Sequence, residues 1–154
     1  MIATEQSSQK VANPSMSTVN QKGKLAYLVL LATALALALT GIGTLALGKA
    51  PMSGWVLMAH VAFAPLFALG LAAVALTWAE SARFGSSGAP QGALPKALLW
   101  LILLGGLVVI LSAVVPMTPL FGSTGQHALY LTHRYSAIGL AALLVLHLLT
   151  RPRK

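Results

Sequence analysis

Four apolar runs divide the chain, at about residues 25–47, 54–79, 97–117 and 126–150, and the stretches between them are rich in Gly, Pro, Ser and charge. At about 1.5 Å of rise per residue, each run is long enough to cross the roughly 30 Å hydrocarbon core of a bilayer as a helix. The links at residues 48–53 and 118–125 are short, so spans one and two, and spans three and four, are expected to be antiparallel neighbours. A longer aqueous loop, residues 80–95, joins the two hairpins. The pattern predicts an all-α fold, an integral membrane four-helix bundle forming one domain over residues 23–154. Residues 1–22 are polar, include Pro14 and several Ser and Asn, and lack the basic start and apolar core of a secretory signal. They read as a flexible tail.

Composition supports the membrane assignment: 57% of residues are hydrophobic, 8% are charged, and mean hydropathy is +0.83. The chain has no cysteine, which excludes disulfides, thiolate-bound iron–sulfur clusters or zinc, and c-type heme attachment. Only Glu5 and Glu80 are acidic, so carboxylate-rich metal sites are excluded as well. The net charge of +8 does not imply nucleic acid, because the basic residues sit in the tails and one loop, flanking the apolar runs. Lys10, Lys22, Lys24, Arg83, Lys96, Arg151, Arg153 and Lys154 fall on one side and Lys49 and Arg134 on the other. By the positive-inside rule both termini are expected in the cytoplasm. Trp55, Trp78 and Trp100 fall near span ends, where indoles favour the headgroup region.

Three of the four histidines, His60, His133 and His147, lie inside apolar runs. A polar, metal-ligating side chain at that depth is costly and marks a candidate functional site. Neutral imidazole is the commonest protein ligand for metals and a heme ligand, so a heme is the economical explanation. A bis-histidine heme between two helices needs one imidazole from each at a common depth. His60 stands about six residues into the second span and His133 about seven into the fourth, both counted from the outer side, and no other cross-helix histidine pair matches. Phe63 and Phe67 follow His60 at i+3 and i+7 and share its face, where they either pack on a porphyrin or serve ordinary interhelical packing. Arg134, next to His133, is a candidate partner for a heme propionate or a quinone oxygen, the alternative being lipid phosphate. Pro65 is placed to bend the second span, and Gly70 and Gly139 to admit a close approach.

His147 follows His133 by fourteen positions, about 40° in azimuth and about 21 Å along the axis, so the two share a face at opposite leaflets. Three readings of His147 stand: ligation of a second heme completed by another subunit, contact with a quinone headgroup, or a hydrogen bond within the bundle. His127 reads as an interfacial histidine at a helix start, or as a proton-exchanging group for a quinol.

The segments TGIGTLALGKAPMSGWVLMAHVAFAPLFALG around His60 and PMTPLFGSTGQHALYLTHRYSAIGLAALLVLH around His133 and His147 resemble small bacterial b-type cytochromes. These are relatives of the four-helix heme b subunits of formate dehydrogenases and nickel–iron hydrogenases. The resemblance covers residues 25–150, and its most specific element is His-Arg-Tyr-Ser-Ala with a histidine fourteen positions after His133. It implies a bacterial cytoplasmic-membrane subunit passing single electrons between a quinone pool and a redox partner within a respiratory or photosynthetic complex. It further implies that the chain is part of an oxidoreductase and not an enzyme alone. Two-heme members supply four histidines at two depths, whereas this chain supplies one complete pair, so one heme near the outer face is expected. A noncatalytic membrane anchor or assembly subunit and a heme-handling protein are the alternatives. No Ser/His/Asp arrangement, phosphate loop or carboxylate pair suggests other chemistry.

Overall fold

In a computed structural model, the described residues, 14–49, 51–84 and 93–150, form four α-helices and no strand. Helix α1 spans Pro14–Ala46, α2 Gly54–Phe84, α3 Ala93–Val114 and α4 Ser123–Thr150. Each contains a segment long and apolar enough to cross a membrane, and the protein is a multi-pass, all-α membrane protein.

The helices outrun the apolar runs at several ends. Helix α1 begins at Pro14, so residues 14–22 of the expected tail are helical; residues 1–13 lie outside the described residues. Proline suits a first helical turn, whose N–H groups have no intrahelical acceptor, and hydropathy carries no signal for a helix that continues beyond the hydrocarbon. For the same reason α2 continues to Phe84 and α3 starts at Ala93, so both ends of the expected 80–95 loop are helical; residues 85–92 lie outside the described residues. Helix α2 passes through Pro65 without interruption.

Local chemistry sets the hairpin ends. Gly48 closes α1 in the left-handed region at φ 65°, with Gly48 N–H donating to Leu45 O at 3.1 Å and Lys49 N–H to Thr44 O at 2.9 Å. This is a Schellman termination, which favours glycine at that position. Pro116 has no N–H to continue the α-helical ladder, so α3 gives way to a single 3-10 turn, Val115–Met117, closed by Thr118 N–H donating to Val115 O at 3.0 Å. Within the spans, the hydroxyls of Thr33, Thr40, Thr44, Thr77 and Ser112 donate to carbonyls three or four residues back, as polar groups in hydrocarbon must.

Helices α1 and α2 pair along their length, as do α3 and α4, while the α1–α4 and α2–α3 seams touch more sparsely. The ring order is therefore α1, α2, α3, α4, with α2 and α4 on a diagonal. The apolar core is confined to the end of the bundle where α1 begins and α4 ends, here the terminal end. Leu30, Phe67, Leu71, Leu99, Ile102 and Leu144 are buried there, and every buried hydrophobic among the described side chains lies in that half. Two glycines allow the close packing. A Cβ at Gly70 would stand 3.1 Å from the Leu30 backbone, and one at Gly106 would stand 2.6 Å from a Leu71 methyl. Trp78 and Trp100 meet edge to face at 5.2 Å and bind α2 to α3 at the same end.

A bulky side chain at Gly70 has to push the α1 backbone away. Gly70→Leu is expected to destabilise the bundle by about 1–3 kcal/mol, the usual range for overpacking, as read from denaturant unfolding in detergent. Gly43→Leu, where a Cβ meets nothing within 4 Å, is expected to leave stability nearly unchanged.

Candidate functional site

The opposite, hairpin end of the bundle holds His60 and His133, both half-buried. They project from the diagonal helices α2 and α4 and meet near the bundle interior with ring centroids 6.4 Å apart and planes inclined at 81°. The one cross-helix pair matched in depth by sequence is the pair that the fold brings together.

Each ring is fixed through its Nδ1. His133 Nδ1 lies 3.0 Å from Val109 O of α3, and a carbonyl only accepts, so the Nδ1 carries the proton and donates it. Ser112 Oγ, at 3.4 Å from the same nitrogen, donates its own hydrogen to Val109 O at 3.0 Å. His60 Nδ1 lies 2.8 Å from Thr40 Oγ1 of α1. Thr40 Oγ1 also lies 2.8 Å from Ala36 O and 3.1 Å from Leu37 O, so its single hydrogen goes either to one of these carbonyls, with His60 Nδ1–H donating to the oxygen, or to an unprotonated His60 Nδ1. His133 is thereby held as the Nδ1–H tautomer with its lone pair on Nε2, and His60 is oriented through the same ring nitrogen. Gly41 of α1 lies against the His60 ring, where a Cβ would make an ordinary contact with His60 Cε1 at 3.4 Å.

The sequence did not single out Thr40, Val109 or Ser112. A threonine on an apolar helix twenty positions from its partner has no local signature, and a backbone carbonyl has none at all.

The other expected site residues separate by level. Arg134 is half-buried beside His133; its Nε is buried without a hydrogen-bond partner, and its Cζ lies 5.9 Å from the centre of the Tyr135 ring. Phe63 is 37% exposed, whereas Phe67, one turn further along α2, is 3% exposed and belongs to the terminal-end core with Leu30 and Leu71. Of the two, Phe67 has taken the packing role. His147 lies toward the terminal end, its ring 5.9 Å from that of Tyr27 in an edge contact, and so is not part of the His60–His133 pair. His127 is exposed near the start of α4. Gly70 receives the α1 backbone, while at Gly139 a Cβ would meet nothing within 4 Å. Among the described residues, no group of three or more His, Cys, Asp or Glu side chains is placed to hold a metal ion, so the donor set is the histidine pair.

No family model, curated protein or solved structure matches the chain. The chemistry of the site therefore rests on its own geometry.

The tautomer of His60 is directly testable. In protein labelled with 15N in histidine, His60 is expected to show the Nδ1–H pattern by NMR, and Thr40→Val to shift it toward Nε2–H. Thr40→Ser is expected to keep the wild-type pattern. Loss of this acceptor amounts to about 1 kcal/mol, enough to move a tautomer equilibrium severalfold.

Proposed function

We propose that the protein is a membrane-bound b-type cytochrome, an electron-transfer subunit whose heme is held by His60 and His133. The observation that carries this reading is the pair of Nδ1-anchored imidazoles facing one another across the bundle. Metal-ligating histidines characteristically donate the other ring N–H to a carbonyl, hydroxyl or carboxylate, which fixes ring orientation and raises the basicity of the ligating nitrogen. With ring centroids 6.4 Å apart, the two imidazoles would be close enough to hold one metal ion between them at metal–nitrogen distances of about 2.0 Å.

Two further features fit a heme better than a bare ion. The pair stands outside the buried apolar core, which lies in the other half of the bundle. Arg134 places a guanidinium with an unpartnered buried Nε next to a metal ligand, and a heme propionate is an anion suited to it. His60 and His133 would hold the iron, Thr40 and the Val109 carbonyl would orient them, and Arg134 would neutralise a propionate.

Bound there, the group would supply one-electron exchange at iron. The chain's own contribution is to fix both ligands before binding, to exclude water with apolar helix faces, and to set the local charge through Arg134. A partner that reaches a site inside the membrane-crossing segments from the bilayer is lipid-soluble, and a quinone is the redox carrier of that class. The other partner is a redox subunit, and the setting is the bacterial cytoplasmic membrane with both termini inside. The identity of His133, Arg134 and Tyr135 and the fourteen-residue step to His147 support kinship with heme b subunits. A single heme follows from the single facing pair.

Purified protein is expected to be red, with sharp reduced-minus-oxidised visible bands and about one heme per chain. His60→Ala and His133→Ala are expected to lose those bands, and His147→Ala to retain them. A colourless, folded wild type after expression with ample heme would favour a membrane anchor, and a labile or chemically altered heme would favour heme handling.

A further inference from the structure

Two open apolar grooves flank α1 at the terminal end of the bundle, one on each side. The first, about 320 Å³, runs between Leu25 and Val29 of α1 and Leu69, Gly70 and Ala73 of α2. The second, about 330 Å³, lies on the α4 side of α1, along Tyr27, Leu28, Leu31 and Leu148. Lys22 lines the first groove and Lys24 the second, and both lysines are exposed. Two residues of helix turn the side chain by about 200°, so a Lys-x-Lys step at this point sends one cation down each flank of α1.

The lysines mark one limit of the first membrane-crossing segment, which begins at Gln21, so each cation stands at the water boundary and each groove leads from it toward the hydrocarbon. Among the described side chains at this end of the bundle, the charged ones, Lys22, Lys24 and Lys96, are all cationic. We infer that the two grooves are binding sites for anionic phospholipids, with an acyl chain along each groove and the headgroup phosphate against Lys22 or Lys24.

The sign of the charge selects the headgroup. A zwitterionic lipid brings its own cation next to the lysine, which offsets the phosphate, whereas a phosphatidylglycerol carries net negative charge. The apolar lining selects a lipid over a free phosphate, because a groove that opens on hydrocarbon is filled by van der Waals packing of an acyl chain, which a phosphate cannot supply. The grooves exist for reasons visible in the fold. The first follows the α1–α2 seam where Gly70 lets the α1 backbone approach, and the second follows the sparsely packed α1–α4 seam. Occupied by acyl chains, they would complete the packing of α1 at the end that carries the bundle's core. This inference is independent of the heme reading and concerns the opposite end of the molecule.

The test is native mass spectrometry of the full-length protein in detergent, titrated with phosphatidylglycerol or with phosphatidylcholine of the same acyl chains. Two retained phosphatidylglycerol molecules are expected, with weaker retention of phosphatidylcholine. Lys22→Gln and Lys24→Gln are each expected to weaken one of the two sites about fivefold, in line with the usual contribution of one basic residue near an anionic surface. Lys22→Arg, Lys24→Arg and the hairpin-end Lys49→Gln are expected to retain both. Equal retention of the two lipids by wild type would overturn the inference without recourse to any variant. So would unchanged binding in the Lys22→Gln/Lys24→Gln double variant, an equal loss in Lys49→Gln, or displacement of bound lipid by millimolar inorganic phosphate.

Discussion

An imidazole placed within a membrane-crossing bundle has to satisfy its N–H, because hydrocarbon offers nothing to accept it. His133 meets that demand by donating Nδ1–H to Val109 O on α3, and His60 pairs its Nδ1 with Thr40 Oγ1 on α1. The two bonds do more than settle an unsatisfied donor. The His133 bond sets that ring's tautomer and leaves its lone pair on Nε2, and the two bonds together tie α2 to α1 and α4 to α3 at the level of the site. All four helices thus converge on the pair, two through the ligands and two through the oxygens that hold them.

The distribution of packing complements this arrangement. The tight approaches at Gly70 and Gly106, the Trp78–Trp100 contact and the buried leucines all lie toward the terminal end, so that end acts as the scaffold. The hairpin end has half-buried histidines and Ser112 as a buried polar residue. Separating scaffold from site along the bundle axis allows the hairpin half to be built around polar anchors without weakening the apolar core. Cofactor sites in helical bundles are characteristically built this way, from inward-facing side chains on facing helices.

The four spans were legible because a membrane-crossing helix needs about twenty apolar residues in succession, a signal that few other structures imitate. Their ends were less so. Polar residues 14–22 extend α1 because a helix does not have to stop where the hydrocarbon stops. The His60–His133 pairing was legible for a related reason: depth in a bundle can be counted in residues from a hairpin, and only these two agreed. Phe63 and Phe67 show the limit of that counting. They share a helix face with His60, yet Phe67 lies a turn or more deeper, in the packed core. Nothing in loop lengths fixes the diagonal placement of α2 and α4, and the anchors at Thr40 and Val109 depend on tertiary contacts that no local pattern announces.

The central claim is that these two imidazoles ligate one iron through their Nε2 atoms, and the inclination of their planes makes it testable in the oxidised protein. Two imidazoles on ferric heme with nearly perpendicular planes give a strongly anisotropic low-spin electron paramagnetic resonance signal, unlike the rhombic signal of parallel planes. With planes inclined at 81°, the purified protein is expected to show the anisotropic signal, absent in both His60→Ala and His133→Ala. A high-spin signal, or a low-spin signal that survives either substitution, would contradict the assignment.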